Sequence, residues 1–244
     1  MNNEELVKEV CPIFNSTGWA HYFVPETQAK GAEFGLDGLQ FYVIGRGGAL
    51  GDCEGSAVAS AFGYFNPKLI ATAWDSAREK VAPRIAGKAH LECCANLGRA
   101  KLSDIPHLDE FVVAANAVND ATDGDGLTLY AAVKAEPLAT DSPGRAMQLV
   151  TILREFRGST HLLALRAVGL DSKTAHFVKR PTDIKMFGWS DSDAPVIDQA
   201  VHQKMSDAET LTDRLVASAY GVLTDSGRAD LLNGAQEIKV ALGV

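Results

Sequence analysis

The sequence predicts a mainly α-helical fold with few, short strands. Three observations carry this. Apolar residues recur at helical spacing through most of the 244 residues, with helix starts and stops between the runs. Aromatic residues make up only 7% of the chain and alanine is abundant, which favours helix over strand. Polar breaks at 119–126 and 140–144 divide the chain, so the expected organisation is an N-terminal helical subdomain (1–118), a connecting segment (119–145) and a C-terminal subdomain (146–244).

Taken in order, Glu4 to Val10 reads as a short amphipathic helix that Pro12 stops. Pro25 and Glu26 suit the first turn of the next helix and Gly35 its end. Asp37 caps LQFYVIGR. The following GRGGALGD has neither the Lys-Ser/Thr end of a phosphate loop nor dinucleotide spacing, so it reads as a tight turn between helices. Asn66 and Pro67 open a helix over 68–80, Pro83 breaks it, and His90 to Leu102 and Leu108 to Val118 follow as helices. NDATDGDG at 119–126 lacks the closing Glu of a calcium loop and reads as a solvated turn; Leu127 to Lys134 fits either helix or strand.

The central stretch is Leu149 to Leu170. Arg154, Arg157 and His161 stand at i, i+3 and i+7, one helical face, beside an apolar face of Leu149, Leu153 and Phe156. Gly158 and Ser159 are expected to break this helix, with Ser159 capping a second one over 160–168. Gly169 then turns the chain and Asp171 caps a third helix that Pro181 stops, which is helix-turn-helix geometry. Ser190 is expected to cap a helix, and Gln199 to Leu215 to be helical. The tail, with VLT as a strand leading through DSG into a helix, looks like the wing and last helix of a winged-helix domain. His21…Gly35-Leu36-Asp37 weakly echoes His161…Gly169-Leu170-Asp171, a sign of duplication.

Charge and cysteines narrow the function classes. The chain carries a net charge of −8, yet residues 146–180 hold six Lys/Arg against two Asp/Glu. Strong non-specific nucleic-acid binding by the whole acidic molecule is not expected, while the basic stretch leaves room for a local anion site. Cys11, Cys53, Cys93 and Cys94 have no metal or redox spacing and read as reduced thiols of a cytoplasmic protein. No signal-peptide pattern, membrane span, metal site or cofactor motif is expected.

Arginine offers a planar fork for carboxylate or phosphate, and histidine can exchange a proton near neutral pH. The candidate ligand-binding residues are therefore Arg46, Arg154, Arg157 and His161, together with Tyr22 and Glu26 as a polar cluster. The structural alternative is that Arg157 pairs with an acid such as Glu26 or Glu155 and that His161 caps a helix. Lys173, Lys179 and Arg180 are the candidate DNA contacts, since they lie on the second helix of the helix-turn-helix.

Several short motifs occur in a fixed order: YF-PE at Tyr22 to Glu26, GLDG at Gly35 to Gly38, Y-x-x-G-R-x-x-x-L-G from Tyr42 to Gly51, YFNP at Tyr64, LREFRGSTH with GLD after it, GW-S-D at Gly188 to Asp191, and LTDSGR at Leu223 to Arg228. In this the chain resembles the SalK-like helix-turn-helix (winged-helix) proteins common in actinobacteria, most of which have no assigned function. The resemblance covers most of the chain and implies a winged-helix-like helical architecture without supplying a reaction. The chain departs from the family pattern at Ser159, where an aspartate is usual, at Gly18, where a histidine is usual, and in a shortened wing at 214–224. Two functions are expected to compete: a ligand-responsive regulator that binds a small anionic molecule and DNA, and a small-molecule enzyme or binding protein without DNA. Self-association is compatible with both.

Overall fold

A computed structural model describes residues 1–244. The chain forms twelve α-helices and no strand. They are α1 (Asn3–Thr17), α2 (Pro25–Glu33), α3 (Gly38–Gly47), α4 (Gly55–Phe62), α5 (Pro67–Arg78), α6 (Pro83–Lys101), α7 (Leu108–Ala121), α8 (Thr128–Lys134), α9 (Ser142–Ala167), α10 (Ser172–Lys179), α11 (Gln199–Ala217) and α12 (Asp225–Leu242). No helix is long and apolar enough to cross a membrane.

Helix α9 organises the packing. Its buried residues run almost without interruption from Ala146 to Phe156, so apolar side chains leave it in every direction. A helix buried all round needs neighbours all round, and α1, α6, α7, α8, α10 and α11 all pack against it. One core of 48 residues results, from Leu6 in α1 to Ile238 in α12. Leu127, Leu129, Tyr130 and Val133, inside the expected connecting segment, belong to this core, and 128–134 is helix. A second, small cluster joins the C-terminal end of α9 to α10 and α11 through Leu165, Leu170, Ala175 and Met205.

Several local expectations are corrected. Pro12 does not stop α1, which runs on to Thr17. Pro83 opens α6 as its first residue, where the missing N–H costs nothing, and so that helix starts well before His90. Gly158 and Ser159 do not break α9. A glycine inside a helix costs only about 1 kcal/mol against alanine, and the burial of Glu155, Phe156, Ser159 and Thr160 around it outweighs that. Ser190 caps only a short 3-10 turn, Asp191–Asp193. The wing strand is also absent: Ala219–Val222 form a 3-10 turn, and Thr224 caps α12 by accepting from the Gly227 N–H.

The helix-turn-helix turn itself forms as read. Gly169 takes φ +70°, and Asp171 caps α10 by accepting from the Thr174 N–H. Beyond α10, residues 180–198 form a strap with no α-helix. It is tied to the turn after α4: the Asn66 N–H donates to Phe187 O (2.8 Å), Asn66 Nδ2 to Gly188 O (3.0 Å), and Trp189 Nε1 to Tyr64 O (2.7 Å).

Candidate functional site

The strap, α10 and α11 close over a cavity of about 370 Å³ whose other walls come from α1, α3, the end of α4 and the middle of α9. Arg46, Arg154, Arg157 and His161 all line it. They arrive from two helices. Arg46 lies in the last turn of α3, where the backbone carbonyls favour a cation. The i, i+3, i+7 spacing sends the other three from one face of α9.

Glu155 stands at the centre of the polar wall. It is 2% exposed. Arg46 grips it with two bonds, Nε to Oε1 at 2.9 Å and Nη2 to Oε2 at 2.8 Å. Arg154 Nη1 donates to Oε1 at 2.9 Å and the Tyr22 hydroxyl donates to it at 3.2 Å. Burial pushes the Glu155 carboxyl up, but the two guanidiniums outweigh it and hold the group at about 2. Glu155 is thus a fixed anion, and its role is to hold two arginines in place rather than to transfer protons. Tyr42 accepts from Arg46 Nη1 at 3.0 Å, and the Arg46 guanidinium lies 4.2 Å over the Phe62 ring.

Arg157 reaches α11, where Nη2 donates to Glu209 Oε2 (2.7 Å) and Asp213 Oδ1 (3.3 Å). Its partners are therefore neither Glu26 nor Glu155. Burial raises the Glu209 carboxyl, and the hydrogen bond from Arg157 helps to pull it down to about 2. His161 Nδ1 lies 2.8 Å from Thr212 Oγ1, whose own proton goes to Ala208 O at 2.6 Å. The threonine has one proton to give, so His161 Nδ1 carries a proton and donates it. Burial keeps the imidazole below its ordinary pKa, and the ring is neutral at neutral pH. His161 Nε2 makes no protein hydrogen bond and is left as an acceptor.

The remaining predicted residues divide. Tyr22 touches the site only from behind, through Glu155 and Arg154. Glu26 does not join: it lies exposed in the first turn of α2, where it meets that helix's positive end. Lys179 and Arg180 line the mouth of the cavity while staying largely exposed, Lys179 bound to Glu209 (3.1 Å) and Arg180 to Asp183 (3.2 Å). Lys173, in the first turn of α10, lies outside the cavity against the strap, with Nζ donating to Asp193 O at 3.0 Å and lying 5.6 Å over the Trp189 ring.

Sequence reading missed Tyr64, which lies between the cavity and the strap. Its ring stacks on His161 at 6.5 Å between centroids, and its N–H donates to Ser172 Oγ at 3.2 Å. Tyr64 takes φ +59°, a left-handed conformation costly for a bulky residue. Strain of this kind persists only where the surroundings over-determine it, and it gathers at functional sites. The YFNP motif was the signal. Phe65 and Phe187, stacked at 4.1 Å, form the apolar wall with Phe62.

A family model described as a helix-turn-helix family matches residues 8–243. The chain belongs to this helix-turn-helix family. The match takes in both α3 with Arg46 and the α9–α10 unit, so the whole cavity lies within the family's own extent. Neither a curated protein nor a solved structure matches the chain. No group of three His, Cys, Asp or Glu side chains is arranged to hold a metal ion.

Proposed function

We propose that this helix-turn-helix protein is a ligand-responsive regulator whose cavity takes a small anionic molecule. One observation carries the reading. Lys179 and Arg180, at the basic end of the second helix of the helix-turn-helix unit, line the same cavity as Arg46, Arg154, Arg157 and His161. The helix that would read DNA and the wall that would hold an anion are one element. An anion in the cavity competes for the cations that DNA phosphates need, so occupancy of one site changes the other. The family type supports a DNA-binding regulator, and the motif order resembles that of SalK-like helix-turn-helix proteins.

Two measurements test it. Thermal melts across a panel of carboxylates should show stabilisation in wild type and none in Arg154→Ala. Selection from a random duplex pool at low salt should retain DNA, and replacing Lys173, Lys179 and Arg180 with alanine should release it. A pool that yields no retained sequence removes the DNA half of the reading, and melts that no carboxylate moves remove the ligand half.

A second reading has its own support. His161 is neutral, fixed in one tautomer by Thr212 and open at Nε2, as a general base requires. A small-molecule enzyme on the same scaffold would use that nitrogen. It predicts turnover that His161→Gln abolishes while ligand binding survives.

A further inference from the structure

Resting on the anion reading above, the geometry points to the ligand class: an aromatic monocarboxylate. The charge balance sets the number of negative charges. Five cations line the cavity: Arg46, Arg154, Arg157, Lys179 and Arg180. The acids that already hold them are four, namely Glu155, Glu209, Asp213 and Asp183. One positive charge is left over. A single carboxylate neutralises it, whereas a nucleotide or a bisphosphate brings surplus charge into a partly buried space.

The donor geometry favours a carboxylate. Arg154 makes both of its hydrogen bonds through Nη1, to Glu155 and Tyr22, while its Nε is buried without a partner. Arg180 reaches Asp183 through Nε alone. Each guanidinium keeps unspent donors, and planar guanidinium and planar carboxylate match in shape.

The apolar wall favours an aromatic body. Phe187 is stacked on Phe65 at 4.1 Å and lies tilted by 37° against His176 at 4.0 Å, and His176 Nε2 has no partner. Arg46 covers Phe62. A planar ring extends this run of π-faces, and aromatic pairs gain energy beyond the area they bury. An inorganic anion leaves the wall unfilled. The volume of about 370 Å³ lies at the small end of ligand pockets, which suits one or two fused rings.

Calorimetric titration of the full chain with naphthoate, cyclohexanecarboxylate, naphthamide and inorganic phosphate tests the assignment. Naphthoate is expected to bind roughly three- to tenfold tighter than cyclohexanecarboxylate and about tenfold or more tighter than naphthamide or phosphate. Arg154→Gln should remove the advantage of naphthoate over naphthamide. Arg180→Gln gives the same test should the first variant not fold. Trp19 lines the cavity, so its fluorescence should change with naphthoate, and Trp19→Phe should abolish that change. Phosphate or cyclohexanecarboxylate binding as tightly as naphthoate overturns the aromatic assignment and leaves the anion reading standing. Naphthamide binding as tightly as naphthoate overturns the carboxylate assignment. No binding by any of the four overturns both this inference and the ligand reading on which it rests.

Discussion

Arg46 and Arg154, from two helices far apart in sequence, donate to the same oxygen of one buried carboxylate, Glu155 Oε1, each at 2.9 Å. The two arginines are not equivalent there. Arg46 adds a second bond to Oε2 and its side chain is 11% exposed, against 22% for Arg154. The pair of bonds from Arg46 satisfies Glu155 without Arg154. Arg154 is therefore available to a ligand without the core losing its counter-charge.

The first prediction follows from this asymmetry. Glu155→Ala strands two guanidiniums in a buried wall, and breaking such a pair costs about 3–5 kcal/mol. Arg46→Ala should cost a similar amount. Arg154→Ala should cost about 1–2 kcal/mol, the value of one charged hydrogen bond reduced by partial exposure. Urea denaturation of the three variants gives the order. An Arg154→Ala cost equal to that of Arg46→Ala would make Arg154 a structural residue and remove it from the ligand site.

The second prediction concerns acid. His21 and His90 are buried, with rings 4.7 Å apart, and one nitrogen of each has no partner. Burial, together with the charge on Arg46, holds His90 at about 4, and burial with His90 and Arg154 holds His21 well below its ordinary value. Below pH ~6.5 the unfolded chain takes up protons on these imidazoles that the folded chain refuses. Stability is thus complete above that pH and falls as pH drops towards about 4. Glu155, held at about 2, adds a further loss below pH ~4.5. His90 alone contributes about 3 kcal/mol across its window. Denaturation at pH 7.5, 6 and 4.5 should show a progressive loss that His90→Gln reduces; pH-independent stability over that range would refute it.

The convergence on Glu155 was half legible in the sequence. The face of Arg154, Arg157 and His161 follows from residue spacing alone, because helical periodicity is local. That Arg46 joins them needed only that a buried arginine find a partner. The partner's identity was not legible, since nothing local distinguishes Glu155 from Glu26, which lies in solvent. The expected helix breaks at Pro12 and Gly158 do not occur because local propensities of about 1–3 kcal/mol lose to packing: α9 is buried on nearly all sides around Gly158, and α1 buries Val7, Val10, Cys11 and Phe14 on one face while Pro12 sits on its exposed face. The placing of Lys179 and Arg180 at the cavity mouth depends on Glu209 and Asp183, one from α11 and one from the strap, and no helix pattern encodes it. Tyr64 escaped notice because its left-handed backbone is imposed from outside, by Ser172 and Trp189.

The third prediction tests that imposed turn. Gly63 precedes Tyr64 with φ +61° and ψ −176°, a region open almost only to glycine, and a Cβ there would strike the Leu162 side chain of α9. Gly63→Ala should therefore cost about 2–3 kcal/mol and shift Tyr64 off His161. Thermal melts read the first effect and loss of carboxylate-induced stabilisation the second. A variant as stable and as responsive as wild type would show the turn to be free of strain.

The last prediction separates the two roles of α10. Lys173 contacts the strap outside the cavity, while Lys179 and Arg180 line it. In a regulator, Lys173→Ala should weaken DNA binding and reduce the salt slope by about 1, with carboxylate binding unchanged. Lys179→Ala and Arg180→Ala should weaken both. Carboxylate should also lower DNA affinity in wild type, and by linkage DNA should lower carboxylate affinity by the same factor. The coupling arises because an anion held by Lys179 and Arg180 takes the charge that phosphates would use, so the Lys179→Ala, Arg180→Ala double variant should lose it. Fluorescence anisotropy with a selected duplex, titrated at several salt and carboxylate concentrations, measures all of these quantities. A carboxylate that binds while DNA affinity stays constant would uncouple the cavity from α10 and favour the enzyme reading, in which His161 rather than α10 is the working element.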